Sequence, residues 1–330
     1  MSAKLPARPL LIGAGLLVTL AGMAFALDGV SLPDAADALA ESDLRWLVPA
    51  TIVFVAGVGL RGVRWWLLFD ARERPSLGEV SRALLIGYFF NNILPARAGE
   101  AAKVISLHAR TKTPRAEIIG TVVAERVYDL LALLIILFAA YPWLPPISWL
   151  RTAAIFAIVV VAALSVLVFL LVRHDERAIH WLLSPLRRIR RDGFAERVEL
   201  AAINGTRGLV AIREPRIALM SILLTILSWV VLSFSYWILM QAFSLDVPFA
   251  AGLLVTVTIN MGLVLPSAPA AIGVFEAATV IALKVFDIPQ AEALSYALVL
   301  HLLNLIPFLL AGTVLLGPAA LARRGRRDRA

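Results

Sequence analysis

Apolar residues run almost unbroken through residues 10–27, 46–69, 117–141, 150–172, 217–243 and 291–316 of this 330-residue chain. Each run reaches the ~18–20 residues that a helix needs to cross a bilayer, so the pattern predicts six full spans. Two more apolar segments, 80–109 and 249–286, are broken in the same way. Each passes from an apolar run into Leu-Pro (Leu94-Pro95 and Leu265-Pro266), then a glycine (Gly99 and Gly273), then a glutamate opening a new helix (Glu100 and Glu276). Pro and Gly free backbone groups that lipid cannot satisfy, so such breaks survive only inside protein or beside a wet cavity.

The arms of the first broken segment are too short to cross twice, and a re-entrant hairpin dipping from the cytoplasmic side fits best. The arms of the second, some 17 residues each, leave open whether it dips from outside or crosses twice. With both taken as hairpins, the order is span, span, hairpin, span, twice over. The halves, 1–141 and 142–316, start on opposite sides. That predicts an all-α polytopic membrane protein with an inverted-topology repeat in a single membrane domain. In such folds paired interrupted segments mark the binding site near the midplane.

Charge sets the expected orientation. Lys4 and Arg8, Arg72 and Arg74, ten arginines in the 173–216 loop, and Arg323, Arg324, Arg326, Arg327 and Arg329 of the 317–330 tail fall on one side. The 28–44 loop carries Asp28, Asp34, Asp37, Glu41 and Asp43 and no basic residue. Both termini and the Arg-rich loop are therefore expected in the cytoplasm, and the protein in the cytoplasmic (inner) membrane. Ala24-Phe25-Ala26 resembles a signal-peptide cleavage site, but the first run is long for such a peptide, and an uncleaved span is expected.

Composition narrows the chemistry. At 60% hydrophobic residues a soluble fold is excluded, and the absence of cysteine removes disulfides, Cys-ligated metals and thiol catalysis. Four histidines without ligand spacing argue against a metalloenzyme, and no cofactor is expected. The net charge of +8 belongs to loops beside spans and points to anionic headgroups rather than nucleic acid. A stretch near 194–213 in the Arg-rich loop reads as a helix lying on that surface.

Ionisable residues inside spans each cost about 2.5–3.5 kcal/mol at a helix centre and usually face the bundle interior. Glu125, Arg126 and Asp129 form one such group, with both carboxylates on one helical face. They are either a self-neutralising structural patch or part of a site. Arg97, Glu100 and Lys103 surround the first hairpin tip, where a restarting helix aims free N–H groups and its positive dipole end. Arg97 offers a planar fork suited to phosphate. Glu276 sits in an apolar segment with no cation before Lys284. It needs a distant partner, with Arg97 or Arg126 the candidates, or it is protonated by desolvation and able to carry a coupling proton. Asn91, Asn92 and Asn260 precede the two breaks, and His301 and Asn304 share a face of the last span ahead of Pro307. Such residues serve as ligands or as interhelical glue.

Three stretches carry a resemblance: Asn91–Val104 (NNILPARAGEAAKV), Glu125–Leu133 (ERVYDLLAL) and Leu265–Val280 (LPSAPAAIGVFEAATV). Together they make the chain similar to the membrane domain of the lysylphosphatidylglycerol synthase family, described as flippase-like. The resemblance implies a polytopic protein that moves or presents a lipid with a polar head. Full-length synthases add a soluble aminoacyl-transferase domain. The sequence has no room for one, so a stand-alone member without synthase activity is expected. Ala270-Ala271-Ile272 stand where the family is richer in glycine. The function expected is translocation of a polar or anionic lipid headgroup, with Arg97 and the hairpin-end N–H groups as its anchor. The alternative is a non-transporting scaffold or partner of a lipid-modifying enzyme. An intramembrane transferase lacks a nucleophile–base pair.

Overall fold

The computed structural model describes residues 7–94, 98–145, 214–265 and 267–327, with isolated helical positions at 152, 155, 158, 159, 162 and 166. Most of the expected 150–172 span, the Arg-rich loop up to residue 213, the 194–213 stretch, Pro95, Arg97 and Pro266 lie outside the described residues. Among the described residues the secondary structure is helical, with no strand.

Ten helices organise those residues: α1 (Ala7–Leu27), α2 (Leu32–Glu41), α3 (Leu47–Leu67), α4 (Leu77–Ile93), α5 (Gly99–Thr111), α6 (Arg115–Ala140), α7 (Pro215–Met240), α8 (Phe249–Gly262), α9 (Val274–Lys284) and α10 (Gln290–Arg327). Local chemistry places their ends. Ser76 accepts the Glu79 N–H and opens α4, as expected of a serine N-cap. Lys112, left-handed at φ 60°, closes α5, and Thr113-Pro114 then launches α6. The acidic 28–44 segment is not all loop, because α2 forms within it. Ser31 caps its start, Pro33 sits in the first turn and Asp34 faces the positive dipole end.

Among the described residues, three stretches are long and apolar enough to cross a membrane: Leu44–Leu67, Pro215–Phe243 and Gln290–Gly317. They coincide with the expected spans 46–69, 217–243 and 291–316. Helix α1 covers the 10–27 run. Helix α6 covers 117–141, but Glu117, Glu125 and Asp129 are buried along it, so it is a charged helix sheltered by its neighbours. The broken segments give short arms. At about 1.5 Å per residue, the 17 residues of α4 reach about 26 Å and the 13 of α5 about 20 Å. The 14 of α8 and 11 of α9 reach about 21 and 17 Å. None alone matches a hydrocarbon core of about 30 Å.

Helix α4 packs along α5 and α8 along α9, so each broken segment folds into a hairpin. Helix α3 lies against α7, α4 against α10 and α8 against α6. The elements on either side of the undescribed region thus share one core. A small cluster around Trp65, Leu84, Leu107 and Ile118 backs the first hairpin. A larger one around Trp229, Leu239, Leu254, Val280 and Leu300 backs the second.

Candidate functional site

The two hairpin tips meet. Residues from the end of α4 and from the 263–271 segment line one cavity of about 510 Å³, closed at the sides by α3, α6 and α10. The tip backbones are shaped for close approach. A Cβ on Gly99 would lie 2.0 Å from the Gly87 carbonyl oxygen, so only glycine lets α5 start against α4. Gly273 adopts φ +81°, and a Cβ there would meet the Thr19 carbonyl of α1 at 2.3 Å. Ala270 and Ala271 hold φ of 56° and 59°, a region that costs an L-residue of order 1 kcal/mol or more.

Each second arm has a side chain on the N–H of its first glycine. Asn91 Oδ1 accepts from Gly99 N–H at 2.9 Å. Glu276 Oε2 accepts from Gly273 N–H at 2.6 Å. This fixes a role for Asn91 and half the role of Glu276. Other tip groups are met from neighbouring helices, the Ala268 N–H by Thr19 Oγ1 of α1 at 3.0 Å and the Ala270 carbonyl from α10.

Glu276 is 2% exposed, and its second oxygen lies 2.5 Å from His301 Nδ1 on α10. Its partner is therefore His301 rather than Arg126, one of the two cations the sequence offered; the other, Arg97, lies outside the described residues. The His301 Nε2 lies 3.0 Å from the Ala270 carbonyl. A carbonyl can only accept, so Nε2 carries a hydrogen. A second proton then sits between Nδ1 and the carboxyl. The pair holds one shared proton and is neutral overall, with the ring stacked on Phe275 at 4.4 Å between centroids.

Beside the first hairpin, six charged side chains from three helices form one network. Arg64 of α3, with a side chain 0% exposed, donates through Nη1 to Asp129 at 2.5 Å and through Nη2 to Glu125 at 2.6 Å. The Lys103 ammonium donates to the other Glu125 oxygen and lies 4.0 Å from Glu100. Arg126 donates to Glu100 and stands 3.7 Å from Asp129. The Trp229 indole N–H adds a bond to Asp129 at 3.2 Å. Three cations face three carboxylates, so the network is neutral, as buried charge must be if it is to persist. Glu125 and Asp129 do share a face, and what they share it for is Arg64.

Arg61, one turn before Arg64, differs. It lines both the large cavity and a smaller one of about 20 Å³ within the charged network. Its guanidinium lies 3.7 Å over the Trp229 ring, and Nη1 reaches the Tyr88 hydroxyl at 3.4 Å.

Of the residues singled out in the sequence, Asn91, Asn92, Asn260 and Arg126 line the large cavity together with His301 and Asn304. Glu100, Lys103, Glu125 and Asp129 line the small one. Glu276 acts through His301, and Arg97 is not among the described residues. Asn92 has no partner among those residues. Asn260 uses its amide group on the Thr256 carbonyl. Asn304 is occupied by Tyr236 and Leu300, so it acts as glue between α7 and α10. Arg61, Arg64 and the role of His301 were missed. The available signal for the arginines was two charges, three residues apart, inside an apolar run. Their place near its end made them look like ordinary flanking charge.

A stretch of 127 residues is 29% identical to the glycosyltransferase AglD of Haloferax volcanii, covering 38% of this chain and 20% of that protein. A stretch of 105 residues is 29% identical to a UPF0104 membrane protein of Pyrococcus horikoshii, covering 31% of each. The chain thus spans a third or less of the curated relatives it matches. The profile of the lysylphosphatidylglycerol synthase TM region matches residues 12–312. With three membrane-length apolar helices and that profile over nearly its whole length, the chain is a multi-pass membrane protein and belongs to the lysylphosphatidylglycerol synthase TM region family.

Proposed function

We propose that this protein takes the polar head of a membrane lipid into the cavity between its hairpin tips and carries it across the cytoplasmic membrane. The single observation behind this reading is the chemistry of that cavity. Its wall combines amide and basic groups (Asn91, Asn92, Arg61) with the apolar tip residues Leu94, Val264 and Leu265. Val264 is 71% exposed and Leu265 52% exposed. An amphipathic molecule meets both demands, with its head among the polar groups and its tails left in bilayer.

The inverted repeat supports the same reading. Pairing of α4 with α10 and of α8 with α6 is what exchange of two like halves across a two-fold axis produces. In this scheme both termini are cytoplasmic, the hairpins are re-entrant from opposite faces, and rocking of one half on the other alternates access. The charged network serves as the rigid post of the first hairpin, tying α3, α5 and α6. The Glu276–His301 pair, which holds a proton beside the second tip, is the candidate coupling group.

Reconstitution into liposomes carrying a head-labelled phospholipid tests this. Leaflet exchange faster than in protein-free vesicles is expected. Exchange at the protein-free rate, with no lipid retained by the purified protein, refutes the reading. The match to part of a protein named a glycosyltransferase favours a second reading, in which the cavity presents a lipid to a partner enzyme. Retention of a defined lipid without leaflet exchange would select it.

A further inference from the structure

Counted over the described residues, the charge balance around the cavity leaves one cation over. Among the described residues, Arg126 is matched by Glu100 and His301 by Glu276. Arg64 and Lys103 are matched by Glu125 and Asp129. Arg61 has no carboxylate among them. Its direct contacts are neutral, the Trp229 face and the Tyr88 hydroxyl, and the carboxylates of Glu100, Glu125 and Asp129 that share the small cavity with it make no ion pair with it. Its Nε and Nη2 atoms are buried without any hydrogen-bond acceptor. These two atoms form one straight edge of the guanidinium, the edge that grips a carboxylate or phosphate with two parallel bonds. Arg45 uses that same edge on Asp43 in this chain, at 2.9 Å for both bonds.

A buried donor without an acceptor is unfavourable by more than a made bond returns, and an unmatched cation at membrane depth adds to that cost. One stacked contact and one hydrogen bond keep Arg61 in place all the same. Trp229 supports the plane of the guanidinium, and Trp229 in turn donates to Asp129, so the neutral network holds the platform. Arg61 itself lines the large cavity. Binding an anion there requires a rotation about its own side-chain bonds that turns the free edge toward the cavity.

We propose that Arg61 is the anion anchor of the cavity, and that the group it takes is a phosphate anion, of a phospholipid head or free in solution. The inference rests on the lipid-handling reading and sharpens it to an anionic head. Asn92, which lines the same wall without a partner, supplies the neighbouring donors. The exposed apolar tip of Val264 and Leu265 favours the lipid source over the free ion.

The test uses the full chain in nanodiscs containing phosphatidylglycerol, nanodiscs containing only phosphatidylcholine, and detergent with inorganic phosphate. Binding is read by native mass spectrometry and by shift in melting temperature. The wild type is expected to retain phosphatidylglycerol over phosphatidylcholine. Arg61→Met is expected to lose that preference by about tenfold or more, as fits loss of a charge-assisted pair, and Arg61→Lys to lose it in part. Should Arg61→Met fail to fold, Asn92→Asp keeps Arg61 and places a negative charge in the cavity that both line, and the same loss is expected. A shift of equal size with inorganic phosphate alone would assign the free anion as the source. Retained lipid with no preference for the anionic head, or a preference unchanged in Arg61→Met and Asn92→Asp, overturns the anchor while leaving the lipid reading standing. No lipid retained above bulk composition, and no response to phosphate, overturns both.

Discussion

Arg61 and Arg64 stand one turn apart on α3, and replacing each by methionine should have very unequal consequences for stability. Arg64 is fully buried and holds Asp129 at 2.5 Å and Glu125 at 2.6 Å. Without it, Glu125 keeps Lys103, but Asp129 keeps only the Trp229 N–H at 3.2 Å and Arg126 at 3.7 Å. One carboxylate is then buried without matching charge, which costs about 3–5 kcal/mol, or a factor of about 10²–10⁴ in the folding equilibrium. Arg64→Met/Asp129→Asn restores two cations against two carboxylates and should recover most of that loss, because the buried pair itself roughly breaks even against a neutral replacement. Arg61→Met removes an unmatched cation and a contact with Trp229, terms of opposite sign, and should stay within about 1 kcal/mol of wild type. Unfolding in mixed micelles by SDS titration, followed by circular dichroism, measures all three. The network argument is refuted if Arg64→Met costs less than about 1 kcal/mol, or if Asp129→Asn adds its full separate cost on top.

Other outcomes follow from the hairpins and the loops. Gly99→Ala puts a Cβ against the Gly87 backbone at 2.0 Å and should destabilise by about 1–3 kcal/mol or more. Gly78→Ala, with open space around it, should be neutral or stabilise by up to about 1 kcal/mol, so equal effects in the same titration would count against the close packing of α4 on α5. His301→Leu leaves Glu276 buried without its partner and should cost about 3–5 kcal/mol. Glu276→Gln keeps an acceptor for Gly273 but removes the shared proton, and leaflet exchange should cease to respond to an imposed proton gradient. An unchanged response would exclude the pair as the coupling group. Asp43 is held below the usual aspartate range by its side-chain bond to Arg45. Its contribution to order in the 43–46 turn is complete above the ordinary aspartate pKa of about 4 and fades as pH falls through the lowered value. An NMR titration of Asp43 at or above that ordinary value would contradict this.

The chemistry of the site was legible in residue types more than in pairings. Two Leu-Pro, Gly, Glu breaks in apolar sequence announced paired hairpins, because hydrocarbon cannot satisfy a broken backbone. The same solvent made Glu125, Arg126, Asp129 and Glu276 conspicuous. What each charge was paired with could not be read, since the partners lie far along the chain. Asp129 meets Arg64 from 65 residues earlier, and Glu276 meets His301 from 25 residues later. Nor did the acidic 28–44 segment announce α2, since attention to its charge hid the Ser31 cap and Pro33 start.

By itself, then, the sequence determined the solvent this chain lives in, the helical form of its segments and where they break. Those follow from local rules: run length against bilayer thickness, and backbone groups that must be satisfied within the segment. Only the tertiary structure decided which charges cancel and which one, among the described residues, is left over. Ion pairing depends on distances between helices, and two arginines three residues apart look alike in sequence. On α3 the short rotation between them turns Arg64 into the centre of a neutral network and leaves Arg61 on the wall of the cavity.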